Sequence, residues 1–432
     1  MTKDEPYAIV PGQIWNGYDP SCETAKAVIV DDDRIDRLTS VNGIPAGMKQ
    51  HHLPCCTLLP GLIDCHVHLS DWMRPVFLAA GVTTIRDVGN NLEWILNRRS
   101  YAEKHPTRSP RILCCGPLLD GPTAHWPLLG RAHADRQAIE HSVQSVIAQG
   151  VDAVKLYVNV TRDQIVGAVR CSHERGMHIL AHLGAVTAED AAEIGLDEIE
   201  HLSGCATAWK ESTVEEVEAF CGTLASNPVI TCPTLVVWDR IGRVTEPAFL
   251  NDKRLTWVHP SFREAWRYYP WRFDAPIKRL QLQRGVIDVK RCLGEMWKRD
   301  MPIICGTDTP FPYLVPGFSL HDELGLMVDA GLSPVGALRS ATHDAASILR
   351  VGEELGGIEP GKIADLVAVR GNPLVDIFDI QNIVQVVHNG NLIQKNAIRR
   401  QARRNHKKAI DDPVGNEILG YVSRMRAREE GE

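Results

Sequence analysis

Eight apolar, strand-like runs between Leu58 and Asp308, most of them separated by stretches of helical period, constrain this chain more than any other feature. They are Leu58–His68, Thr83–Val88, Arg111–Gly116, Ala153–Val158, His178–Leu183, Glu198–Leu202, Val229–Val236 and Met301–Asp308. Strands buried on both faces read as continuous apolar runs. Their alternation with helical spacers such as Gln137–Gln149 and Ala188–Ile194 predicts repeated β-α units around a parallel sheet. Eight strands over roughly 250 residues suit a closed barrel. An open doubly wound sheet would use fewer strands and a Gly-rich phosphate turn after the first, which is missing. The predicted fold is therefore α/β, a (β/α)8 TIM-like barrel over residues 58–354.

Both flanks read differently. Residues 1–57 are short strands broken by turns, and residues 355–395 return to that character with a hairpin signal at Asn389-Gly390. The two flanks are expected to pair as one small β-sandwich domain built from both chain ends. Within the barrel, an insertion at about 239–300 carries Trp257, Phe262, Trp266, Tyr268, Tyr269, Trp271 and Phe273. Such a segment either forms a lid or pocket wall, or packs as its own small core or a subunit contact. Residues 396–432 are basic at first and then mixed in charge, the pattern of a solvated tail or helix.

Composition narrows the function. Hydrophobic residues make up 44% of the 432 and charged residues 23%, enough for a substantial core. A net charge of −7 gives no general pull towards nucleic acid or an anionic membrane. No apolar run approaches the roughly 20 residues of a membrane helix, and the acidic start Met1–Pro6 precedes no signal-peptide core. Twelve cysteines are scattered without a Cys-x-x-Cys pair. Several, such as Cys114, Cys115, Cys232 and Cys305, sit in apolar runs, so a reducing cytoplasm is the simpler reading.

The polar residues inside the apolar runs carry the chemistry. His66 and His68 are two apart on a strand and project from one face, an arrangement that suits a divalent metal. Lys155, His182, His201 and Asp308 each stand late in a strand-like run, and a barrel keeps its active site at that rim. One strand histidine is usually a hydrogen-bonded core residue. Four of them with a buried lysine and an aspartate, all at strand ends, are hard to explain as core. His125 lies on the loop after the third run, and Tyr157 shares the face of Lys155, either to contact substrate or to pack against the rim.

In that order, His-x-His, Lys, His, His, Asp on strands one, four, five, six and eight resembles the amidohydrolase superfamily in its two-metal form. Gly81–Asp87 is similar to the family's second-strand segment, and Gly357–Leu366 with Gly371-Asn372-Pro373-Leu374 to its return to the β domain. The nearest resemblance is to the imidazolonepropionase-like and prolidase-like branch, including carboxypeptidases of N-acylated amino acids. The resemblance implies one metal held by His66, His68 and Asp308, a second by His182 and His201, and Lys155 bridging both as a carbamate. Zinc suits those ligands best, although manganese, cobalt or iron could occupy the site. It further implies hydrolysis of an amide of an N-acyl amino acid, dipeptide or similar small molecule, with Asp308 as general acid and base, His125 beside the substrate carbonyl, and a homo-oligomer. Trp238 stands where related peptidases often carry a carboxylate-binding tyrosine, which favours a bulkier, more apolar substrate. A lactone, carbamate or other ester hydrolase could use the same site. A deaminase would place a glutamate where Ala185 stands, and an inactive scaffold would lack ligands.

Overall fold

The computed structural model describes residues 5–205, 212–227, 229–267 and 276–429. Tyr268, Tyr269, Trp271 and Phe273 of the insertion lie outside the described residues.

Two parallel sheets occupy the middle of the chain. Leu62–Val67, Val82–Asp87 and Arg111–Cys114 form a three-stranded sheet. Val154–Leu156, Ile179–Ala181, Glu198–Glu200 and Ile230–Cys232, extended by Leu118–Leu119 and Gly130–Arg131, form a six-stranded one. Single contacts connect them. On one side Asp152 N donates to Cys114 O at 2.8 Å. On the other, residue 303 bridges Thr231, Thr309 bridges Val67, and Asp308 N donates to His66 O at 2.8 Å.

Three runs differ from the sequence expectation. Leu58–His68 divides at Gly61, because Leu58–Pro60 ends the strand Lys49–Pro60 of a separate sheet. Met301–Asp308 makes single bridges rather than a ladder: Pro302 offers no backbone donor, and Asp308 turns left-handed at φ 59°. The seventh run stops as a strand at Cys232, because Leu235–Gly242 is a helix whose first N–H groups, Leu235 and Val236, are capped by the Glu323 carboxylate at 2.9 and 2.6 Å. Trp238 is therefore a helical residue.

Helix starts follow local chemistry. Thr161 with Gln164, and Thr213 with Glu216, form capping boxes; Asn91, Asp135, Thr187 and Ser333 cap others. Their apolar faces join the strands in one continuous core.

Strands from both chain ends meet in a single eight-stranded sheet. The expected two-layer sandwich gives way to this one sheet because Lys49–Pro60 pairs along both edges, with Tyr7–Ile14 in parallel and Leu366–Arg370 antiparallel, leaving no break. The sheet curls until Ile35 N reaches Lys362 O at 2.9 Å. In the insertion, Phe262 and Trp266 are fully buried, with Phe262 against Trp72 at 5.3 Å, so their rings point into the core. Beyond Lys395 the chain forms two helices, Lys395–Asn405 and Pro413–Glu429. All twelve cysteines are free, and among the described residues no helix is long and apolar enough to cross a membrane.

Candidate metal centre

Strand pleat and a few unusual backbone positions bring the chemical side chains together. His66 and His68 leave the end of Leu62–Val67 on one face, both reaching Asp308 Oδ1 with their Nε2 atoms at 3.4 Å. His201 Nε2 lies 4.0 Å from Asp308 Oδ2. Its ring centroid is 4.5 Å from that of His66 and 4.7 Å from that of His182. His201 and Asp308 have φ values of 62° and 59°, and Thr234 beside them 44°. Non-glycine residues there cost of order 1–3 kcal/mol each and cluster where function requires a fixed side-chain direction. Close approach of chain segments matters as well: a Cβ on Gly306 would stand 2.6 Å from His66 Cβ and from Cys232 Sγ.

The ring nitrogens turned away from Asp308 are each held. His68 Nδ1 bonds Gly89 O at 3.0 Å, His66 Nδ1 bonds Glu200 Oε2 at 2.6 Å, and His201 Nδ1 bonds Thr234 Oγ1 at 2.6 Å. Such contacts fix tautomer and ring direction, as around bound metals. Lys155 is buried on Val154–Leu156 with Nζ 3.4 Å from Glu200 Oε1. Neither Lys155 Nζ nor His66 Nε2 has a hydrogen-bond partner, although both are buried.

Electrostatics favour metal ligation. Burial, then the charge of Lys155, pushes His182 down to about 3, and burial holds His201 well below its ordinary value. Both imidazoles are therefore neutral at pH 7 and keep a lone pair to donate. Burial opposes the charge of Asp308, but its histidine neighbours outweigh it and hold the carboxyl well below the usual range. Burial likewise opposes a charge on His66, where Glu200 prevails and raises its value.

One ligand atom each from His66, His68 and Asp308 lies within 4.8 Å of the others, and so do atoms of His66, Glu200 and Cys232. The first group suits a metal better. In the second, burial holds the Cys232 thiol well above its ordinary value, so it stays protonated, and His66 Nδ1 is already bonded to Glu200.

Above these groups opens a cavity of about 520 Å³ lined by His68, His182, His201 and Asp308. His125, Tyr157 and Trp238 line it too. His125 is exposed, 5.9 Å from the Tyr157 ring, and Tyr157 is 5.1 Å from His182. His66 and Lys155 lie beneath the cavity floor rather than on its wall.

Sequence reasoning passed over the supporting layer. Glu200 touches both His66 and Lys155, and below it Arg86 pairs with Glu198, which accepts from His178 at 2.8 Å. The available signal was two carboxylates two apart in an otherwise apolar run, Glu198-Ile199-Glu200. Thr234 had no comparable signal, since its role rests on a contact 33 residues away.

Parallel strands with imidazole, carboxylate and lysine groups gathered at their ends define an α/β protein with a candidate metal-binding rim. The chain belongs to the amidohydrolase family, whose model matches residues 57–393. No curated protein matches the sequence. Solved structures of the same fold include the bottromycin amidohydrolase, at 22% identity and TM-score 0.75 over 96% of this chain and 92% of that one. A Xaa-Pro dipeptidase with methionine bound in its active site gives 20% and 0.70 over 90% and 99%; A. niger ochratoxinase gives 17% and 0.69 over 90% and 96%.

Proposed function

We propose that this amidohydrolase cleaves the C–N bond of an N-acyl amino acid, dipeptide or similar small amide with the help of two divalent metal ions, zinc by the chemistry of the ligands. The observation that carries this reading is a pair of buried nitrogens without a hydrogen-bond partner: His66 Nε2, 3.4 Å from Asp308 Oδ1, and Lys155 Nζ, 3.4 Å from Glu200 Oε1. Buried polar atoms without partners are costly, and cations at this position would satisfy the imidazole. His66, His68 and Asp308 would hold one ion, His182 and His201 the other. Lys155, as a carbamate formed from its neutral amine and carbon dioxide with release of a proton, would serve both: the modification supplies an anion with two oxygens and leaves one N–H to donate towards Glu200. Bound ions supply Lewis acidity and make a water nucleophilic at neutral pH.

The protein's own groups do the rest. Asp308, ionised at neutral pH, accepts the proton of the attacking water and passes it to the leaving nitrogen. Glu200 and Thr234 keep His66 and His201 aimed at the site. His125, which lines the exposed side of the cavity, would donate to the substrate carbonyl, and Tyr157 and Trp238, which line it too, would bound the substrate's flanks. In this reading residues 58–354 form the closed catalytic barrel, the β domain comes from 1–57 and 355–395, and the enzyme works in the cytoplasm as a homo-oligomer.

A chelator experiment tests it. Dialysis against a strong chelator should abolish hydrolysis of a panel of N-acyl amino acids and dipeptides, and zinc should restore it. Undiminished turnover in the chelated enzyme would reject the metal-dependent reading.

A further inference from the structure

The helix Pro413–Glu429 lies beyond the family-matched residues, yet Val414, Glu417, Ile418, Tyr421 and Arg424 face the same cavity as Asp308. Two buried carboxylates fasten it there. Asp412, just before the helix, accepts from Ser70 Oγ at 2.7 Å, Asp71 N at 3.2 Å and Gly415 N at 2.9 Å, which ties the helix start to the segment following His68. Glu417 accepts from Leu128 N at 2.6 Å, which ties the next turn to the loop that carries His125. Aromatic contacts run from Tyr421 to Trp126 at 5.7 Å, and Trp126 Nε1 donates to Tyr157 OH at 3.0 Å.

This wall is apolar except for Glu417 and Arg424. Of the described residues lining the cavity, Arg424 alone is a lysine or arginine. Its ion pair, with Glu417 Oε1, is 3.8 Å long, beyond direct hydrogen bonding, and its side chain is 61% exposed. The guanidinium therefore keeps donors for a ligand, in the planar fork that fits a carboxylate.

We propose that the C-terminal helix is the specificity wall of the site, with Tyr421 and Ile418 packing a bulky apolar side chain and Arg424 binding the substrate's free carboxylate. The substrate class is then amides that carry a carboxylate beside a large apolar or aromatic group. Which bond is cut rests on the hydrolase reading above; what the wall binds does not.

The test uses the full chain, N-acetyl-phenylalanine and its carboxamide as probes, and calorimetry for binding, with hydrolysis followed separately by chromatography. The wild type should bind the acid about tenfold or more tighter than the carboxamide, as one charge-assisted pair supports. Arg424→Met, an exposed position, should erase that preference and leave carboxamide binding unchanged. Tyr421→Ala should weaken both about tenfold, the scale of an aromatic contact. Equal binding of the two probes by the wild type, or a preference that survives in Arg424→Met, would overturn the proposal. Binding as expected without any turnover would sink the hydrolase reading alone.

Discussion

Thr234 shows how much one small side chain can decide. Its hydroxyl meets His201 Nδ1 at 2.6 Å from a left-handed backbone position, so His201 is oriented by a residue it is remote from in sequence. Thr234→Val should lower kcat/KM about 10- to 100-fold, the usual cost of losing such a contact, and Thr234→Ser should recover most of it. Steady-state kinetics decide, and a fully active Val variant would remove the contact from the account. Lys155 sits deeper. Lys155→Ala should abolish turnover, with partial rescue by short carboxylic acids that replace the two-oxygen bridge; near-normal unrescued activity would exclude Lys155 from the mechanism. His66 adds a pH dependence. Glu200 raises its value, so in the metal-free protein acidification through that raised value protonates a ligand that the metal needs. Metal affinity should therefore fall about tenfold per pH unit below it, read by chelator competition between pH 5 and 8. A flat profile would contradict the role of His66. His66, His68, Lys155, His182, His201 and Asp308 stood out in the sequence because charged and imidazole groups are conspicuous at the ends of apolar runs. Glu200 and Thr234 did not, because their roles arise only from contacts between strands.

At the scale of elements, the apolar runs announced where strands begin more reliably than where they stop. Cys232 ends its strand because Glu323, far along the chain, caps the helix that starts at Leu235. No local pattern carries that information. The last run lost its ladder to Pro302 and to the turn at Asp308, both visible as residues but not as consequences. The helix Pro413–Glu429 is the clearest case, since its charges read as a solvated run while its other face, with Val414, Ile418 and Tyr421, completes the cavity. Asp412 fastens it through the hydrogen bonds from Ser70, Asp71 and Gly415. Asp412→Ala should destabilise the protein by about 1–3 kcal/mol, measured by denaturant unfolding, since buried donors lose their acceptor. Loss of activity without loss of stability would mean that Asp412 acts in some other way.

For the whole molecule, the division of labour follows the two kinds of sheet. The curled eight-stranded sheet joins both chain ends and holds its own apolar cluster, while the parallel strands deliver the chemical groups to one rim. We propose that this rim grips a pair of divalent cations through His66, His68, Lys155, His182, His201 and Asp308. Metal content by plasma mass spectrometry, on the full chain with activity measured on the same sample, tests it most directly. About two equivalents per chain are expected in active enzyme, with a clear drop in Lys155→Ala. A reproducible single equivalent at full activity, or an unchanged content in Lys155→Ala, would contradict it.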